Sequence, residues 1–196
     1  MNKIFTISRE YGSGGRLVAK ALAEALQVPF YDREIIGMAA KETGLSENFI
    51  QQAERENTHS FLYNLYMSSQ NLPVSDQVFI AESDIIKEIA QKGPCVITGR
   101  CADYVLRNDP RCINVFVHAP LEQRMARVEQ EYGEKAEDYR AFVLKKDRAR
   151  ASYYNHFTTN KWGKCQNYHL SLDSSLGLDT LVAILATAAG REEAAQ

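Results

Sequence analysis

The stretch IFTISREYGSGGRLVAKALAEAL, residues 4–26, runs from an apolar segment through a glycine-rich turn into an amphipathic one, and its reading decides the fold. Ile4, Phe5, Thr6 and Ile7 form a short β-prone run bounded by polar residues, the pattern of a buried parallel strand. Gly12, Ser13, Gly14 and Gly15 follow within a few residues. Three of these positions lack a Cβ, so the backbone can take positive φ there and a ligand can approach it closely. Val18, Ala21, Leu22, Ala25 and Leu26 then recur at helical spacing on one face. The first N–H groups of such a helix have no intrahelical partner and its dipole makes that end partly positive, so the corner suits a phosphate. A tight strand-to-helix connection without a ligand is the plain alternative, because short glycine motifs also occur with no phosphate to bind.

With 196 residues the chain can bury one substantial core, and a single domain over residues 1–196 is expected. A formal net charge of -2 offers no general electrostatic basis for binding nucleic acid, and 45% hydrophobic residues fit a globular protein. No apolar run approaches the roughly 20 residues that span a bilayer, and MNKIFTIS leads straight into a strand, so a cytoplasmic protein with no membrane partner is expected. Cys95, Cys101, Cys112 and Cys165 show no C-x-x-C spacing and read as reduced thiols. The four histidines are scattered, and none makes a case for a metal site or a Cys/His pair.

Along the chain, Val28 to Asp32 reads as a second strand ending in a carboxylate, and Asp32 and Arg33 stand where an open α/β sheet places its ligand crevice. Ile35, Ile36, Ala39 and Ala40 begin a helix that Gly44 stops, and Ser46 caps another through about Glu56. Residues 57–92 read as helical, with one stripe of Phe61, Leu62, Leu65 and Tyr66 and a longer one of Val74, Val78, Ala81, Ile85 and Ile89. Cys95-Val96-Ile97-Thr98 is a third strand with Gly99-Arg100 at its end, where a guanidinium fork can hold a phosphate. A short helix near residues 102–106, a strand at 113–117 and a helix opened by Pro120 follow. Residues 133–164 are rich in charge and then in aromatics: Lys146, Asp147 and Arg150 share one side of a helix, ahead of Tyr153, Tyr154, His156, Phe157 and Trp162. Such a face can close over a phosphate as a lid, or serve as a partner or homo-oligomer surface. A strand at 168–172, a helix using Leu178, Leu181, Val182, Leu185 and Ala188, and a polar tail expected to fray beyond Gly190 complete the chain. Five strands separated by helices predict an α/β fold: a parallel sheet with right-handed crossovers and helices on both faces.

Taken in order, these motifs resemble the cytidylate kinase-like branch of the P-loop nucleoside monophosphate kinases over nearly the whole chain. FTISREYGSGGRLVAKALAEAL lies over the phosphate-loop strand and helix, Gly99-Arg100 over the Gly-Arg that ends the third strand, and Glu122-Gln123-Arg124 over the helix after the fourth. Lys146-Asp147-Arg148-Ala149-Arg150 resembles the lid. The resemblance implies a P-loop NTPase-type three-layer fold with a five-stranded parallel sheet, a helical acceptor-binding region at residues 38–92 and a lid at 133–165. It also implies transfer of the ATP γ-phosphoryl group, with Mg²⁺, to a nucleoside monophosphate or a similar small phosphorylated acceptor. On that analogy Arg9, Gly12, Ser13, Gly14, Gly15 and Arg16 cradle the donor phosphates and Arg100 binds the acceptor phosphate. Lys146, Arg148 and Arg150 neutralise charge, Asp147 orients the acceptor or an arginine, and Asp32 is the carboxylate for Mg²⁺ or general-base work.

The departures are equally specific. Aligned on the phosphate-loop order, the first glycine becomes Arg9, the lysine becomes Gly15 and the hydroxyl residue becomes Arg16, with Leu17 after it, so neither following position carries a hydroxyl. Thr98 replaces an aspartate before Gly-Arg, and Met38 an arginine of the acceptor-binding helix. Two readings therefore stay open: a phosphotransferase that draws the missing positive charge from Arg16, at the next position, or from Arg9, on the near side of the turn, and a non-catalytic nucleotide or phosphate sensor on the same fold.

Overall fold

The computed structural model describes residues 2–32, 34–43 and 73–190. Arg33, the helix expected from Ser46, the stripe beginning at Phe61 and the tail beyond Gly190 lie outside the described residues. Five strands, β1 (Ile4–Arg9), β2 (Phe30–Tyr31), β3 (Cys95–Thr98), β4 (Cys112–His118) and β5 (Leu170–Asp173), form one sheet in the order β2-β3-β1-β4-β5. Every neighbouring pair is parallel, with Ile7 beside Thr98 and Arg9 beside Val117. The expected parallel five-stranded sheet flanked by helices is thus the one observed.

The flanking helices are α1 (Gly15–Leu26), α2 (Glu34–Thr43), α3 (Val74–Lys92), α4 (Ala102–Val105), α5 (Leu121–Gln130), α6 (Tyr139–Phe157) and α7 (Leu178–Gly190). The apolar residues divide into two layers, as the period-two alternation of a two-sided sheet requires. Phe5 and Ile7 pack with Val18, Leu22, Val96, Val115, Val117, Leu181 and Leu185 beneath α1 and α7. Ile4 and Ile97 pack with Ile35, Ile36, Val78, Ile85, Ile86 and Ile89 beneath α2 and α3. The same alternation continues to Arg9, which falls on the α1 side of β1.

β2 is shorter than its expected span of residues 28–32. Pro29 has no N–H to give the ladder, yet its carbonyl accepts from Val96 N at 2.9 Å, so pairing begins one residue before the strand proper. α6 is capped by Asp138, whose carboxylate accepts from Ala141 N. Its aromatic end turns inward: Phe157 stacks on Phe79 of α3 with ring centroids 4.4 Å apart, and Trp162 meets Phe116 of β4 edge-on. These rings therefore join elements of this chain to one another.

Candidate functional site

The loop after β1 is built before any ligand is considered. Gly12 and Gly14 take φ of 77° and 78°, and Gly14 precedes α1 with no side-chain cap and no acidic residue in the first turn. Ser13 Oγ donates to Glu10 O at 2.8 Å and accepts from Gly15 N at 3.4 Å, which closes the turn from within. Two helices then clamp it. Arg127 of α5 donates to Gly12 O at 2.8 Å, while Arg124 donates to Tyr11 O at 3.3 Å and to Asp147 of α6. The other Asp147 oxygen accepts from Tyr11 N at 2.7 Å. Asp147 thus spends both oxygens holding the loop and a buried arginine, and sequence reasoning missed Arg124 as its partner and Arg127 as a second hold on the loop.

Above this loop, at the carboxyl ends of β1, β2 and β3, lie two adjoining cavities. The larger, about 590 Å³, is lined by Gly12, Gly15, Arg16, Leu17, Tyr132 and Glu134, among others. The smaller, about 290 Å³, is lined by Ser8, Thr98, Gly99, Lys146, Tyr153 and Trp162, among others. Arg9, Tyr11, Asp32, Arg100 and Arg150 line both and form the junction. The structure therefore brings Arg9, Gly12, Gly15, Arg16, Asp32, Arg100, Lys146 and Arg150 together. Arg148 is exposed and lines neither cavity. It lies half a helical turn from Lys146 and Arg150, as the 3.6-residue period dictates.

Asp32 organises the junction. Its carboxylate accepts from Arg16 Nε at 2.6 Å, Thr98 Oγ1 at 2.7 Å and Arg9 Nη2 at 3.5 Å. Burial alone raises its pKa, but Arg9, Thr98 and Arg16 outweigh that and hold it below the ordinary carboxylate value. Thr98, standing where the resembled family has aspartate, is a donor to this carboxylate. Burial lowers the pKa of Arg9 and Arg100, and it brings Arg150 down to about 9, with Arg9 nearby adding repulsion. Arg150 donates to Arg9 O at 2.9 Å and lies over the Tyr11 ring. Such a gathering of desolvated guanidinium groups is electrostatically costly without an anion and favours one with several charges.

Arg100 is held in a strained turn. Gly99, Arg100 and Cys101 take φ of 72°, 56° and 53°, and left-handed backbone at a residue with a Cβ costs about 1–2 kcal/mol. Its guanidinium donates to Glu82 Oε1 at 3.1 Å, and Tyr153 donates to Glu82 Oε2 at 2.8 Å. Glu82 is fully buried on α3 and was not foreseen. Cys95, Cys101 and Cys112 are buried thiols whose pKa values burial pushes up, which leaves them inert.

A Cβ built at Gly99 would meet Arg9 Nη1, the movable end of a long side chain. Gly99→Ala is therefore expected to fold with Arg9 displaced and to lose about 1–2 kcal/mol in a urea titration from its left-handed backbone.

The site also bears on the implied metal. Arg16 stands at the hydroxyl position with Leu17 after it, Ser13 Oγ is spent within the turn, and Asp32 is engaged by two arginines and a threonine. Among the described residues no group of three His, Cys, Asp or Glu side chains could hold a metal ion. These residues do not fit a protein-held Mg²⁺. A phosphate chain fits better, because Arg9 Nε is buried at the junction without a partner. Among the described residues no helix is long and apolar enough to cross a membrane.

Comparison with known proteins gives two kinds of finding. A family model described as the cytidylate kinase-like family matches residues 4–176. Among solved structures, an uncharacterized protein from Eubacterium ventriosum is 24% identical with a TM-score of 0.72, covering 97% of this chain and 99% of that one. A shikimate kinase from Bacteroides thetaiotaomicron is 13% identical with a TM-score of 0.58, covering 96% and 98%. A gluconokinase from Sinorhizobium meliloti is 18% identical with a TM-score of 0.54, covering 96% and 94%. At these identities the likeness is one of fold. No curated protein sequence matches.

Proposed function

The chain belongs to the cytidylate kinase-like family, and from that premise we propose that it is an ATP-dependent phosphotransferase acting on a nucleoside monophosphate or a similar small phosphorylated acceptor. One observation carries this reading: two cavities meet at Arg9, Arg100 and Arg150. The larger, floored by Gly12, Gly15 and the start of α1, takes the donor phosphates. The smaller, beside Arg100 and Lys146, takes the acceptor. The reacting γ-phosphoryl group then lies between them, where guanidinium charge is densest.

In the reaction an acceptor oxygen attacks the γ-phosphorus, the bond to the bridging oxygen breaks, and ADP leaves. An acceptor phosphate is already ionised near neutral pH, so its oxygen needs no base. A neutral hydroxyl acceptor would need one, and Asp32, held below the usual carboxylate range and bound to two arginines, is poorly suited to that work. Asp32 is instead a positioning residue that aims Arg9 and Arg16. The chemistry left to the protein is alignment and neutralisation, as phosphoryl transfer requires. Residues 133–165 act as the lid, seated on the loop through Asp147 and Arg150, and α3 brings Glu82 to the acceptor side as part of the region at 38–92.

The non-catalytic sensor keeps one specific support: Arg16 at the hydroxyl position and the engaged Ser13 and Asp32 offer no protein ligand to Mg²⁺. ADP release from ATP, with and without Mg²⁺, across a panel of nucleoside monophosphates decides between the two. Turnover with at least one phosphorylated acceptor is expected. Calorimetric binding of ATP with no turnover across the panel would establish the sensor, and no binding of ATP or GTP would end both readings.

A further inference from the structure

We propose that Arg9 supplies the positive charge that the phosphate loop lacks, through an exchange in which residues 9 and 15 have traded a cationic side chain for a glycine. This rests on the nucleotide-binding reading above. In the usual loop a glycine comes first and a lysine six residues later reaches the phosphates. Here the arginine comes first and the glycine six residues later.

The geometry makes the two departures one event. β1 alternation turns Arg9 toward α1, where Gly15 begins the helix. A Cβ at Gly15 would lie 2.7 Å from Arg9 Cβ, 3.2 Å from Arg9 Cγ and 3.1 Å from Val117 Cβ. Gly15 is not among the glycines with positive φ, so its missing side chain answers a need for space and not for conformation. Arg9's aliphatic stem thus occupies the room in which a side chain from position 15 would start. Its head continues past Gly99, again where a Cβ would collide with it, to Asp32.

Arg16, the neighbouring candidate, is placed differently. Its side chain is 52% exposed, its Nε is committed to Asp32 at 2.6 Å, and it lines only the larger cavity. Arg9 is more buried, lines both cavities, and keeps a buried Nε without a partner. A group between the two cavities can follow the γ-phosphoryl from donor to acceptor, as one confined to the donor side cannot.

The test is calorimetric titration of ATP and of inorganic tripolyphosphate into wild-type protein, the single variants Arg9→Met, Arg9→Gly, Gly15→Lys, Arg16→Ala and Arg100→Ala, and the double variant Arg9→Gly with Gly15→Lys, with urea midpoints for each. Arg9→Met keeps the stem and removes the charge, and is expected to fold and to weaken both ligands about tenfold or more, the worth of a charged hydrogen bond. Arg16→Ala, at an exposed pair, is expected to weaken them by about fivefold or less. Gly15→Lys alone is expected to unfold at lower urea. Arg9→Gly combined with Gly15→Lys is expected to regain both stability and binding relative to the two single changes, a non-additivity that independent sites do not show. Val117 stays close to position 15, so the recovery is partial. A folded Arg9→Met that binds like wild type while Arg100→Ala is weakened overturns the role of Arg9 and leaves the nucleotide site standing. A double variant no better than the sum of its singles overturns the exchange. Wild-type protein that binds neither ligand overturns this inference and the nucleotide-binding reading together.

Discussion

Asp147→Ala is expected to lower the unfolding free energy by about 3–5 kcal/mol, because it strands a buried arginine. Arg124 has only 6% of its side chain exposed, and Asp147 takes its charge directly, while Glu10 stands at 3.4 Å as a weaker second partner. The same substitution leaves Tyr11 N without its acceptor and loosens α6 from the glycine loop. Asp147→Asn separates this clamp from the catalytic role that a lid acid would have. An amide still accepts from Tyr11 N but loses the ion pair, so stability falls by less while the phosphate loop keeps its shape. If Asp147 is a clamp, both variants lose stability in proportion to lost ATP affinity, as measured by urea denaturation and calorimetry. An Asp147→Asn protein of wild-type stability with ATP binding intact and ADP release abolished would show instead that the carboxylate works on the acceptor.

What could be read from the chain was whatever is periodic or local. β1, the glycine turn and α1 follow one another in sequence, and the alternation that buries Phe5 and Ile7 also sets Arg9 on the α1 side. Arg148 could have been excluded on spacing alone, since it lies across the helix from Lys146 and Arg150. Pairings that cross the fold were not readable. Arg124 and Asp147 come from different helices, 23 positions apart, and nothing local marks them as partners. Glu82 was within reach: it lies between Val78 and Ile85 on the face that packs toward the sheet, and a carboxylate inside an apolar stripe signals a buried partner. Counting only the apolar members of that stripe passed over it. Gly15 shows the limit of motif reasoning. Read alone it is a missing lysine, but beside Arg9 it is the space that another cation requires.

Glu82 carries the second large effect, and its sign depends on pH. Burial pushes its pKa up to about 7, with the Tyr153 hydrogen bond only partly offsetting this, against an ordinary 4.5. A group whose folded pKa is raised contributes stability that is fully present below its unfolded pKa and is lost as pH rises through the folded one. Wild-type protein should therefore lose about 1–3 kcal/mol of this contribution between pH 4.5 and 7. Arg100 at 3.1 Å limits the loss by pairing with the carboxylate once it ionises, and Tyr153 donates to it throughout. Asp32, whose folded pKa is lowered, acts in the opposite sense, as pH falls below about the ordinary 3.8, so the two windows do not overlap. Glu82→Gln, neutral at every pH, is expected to flatten the 4.5 to 7 window in urea midpoints measured against wild type. Glu82→Ala is expected to cost about 3–5 kcal/mol above pH 7, where it breaks a buried pair. The consequence for binding follows from the same charge. If Arg100 holds the acceptor phosphate as proposed, an ionised Glu82 competes with it, so wild type should bind phosphate more tightly as pH falls toward 6, and Glu82→Gln should bind at pH 8 as wild type does at low pH. Phosphate affinity that changes with pH identically in both proteins would show that Glu82 does not govern Arg100.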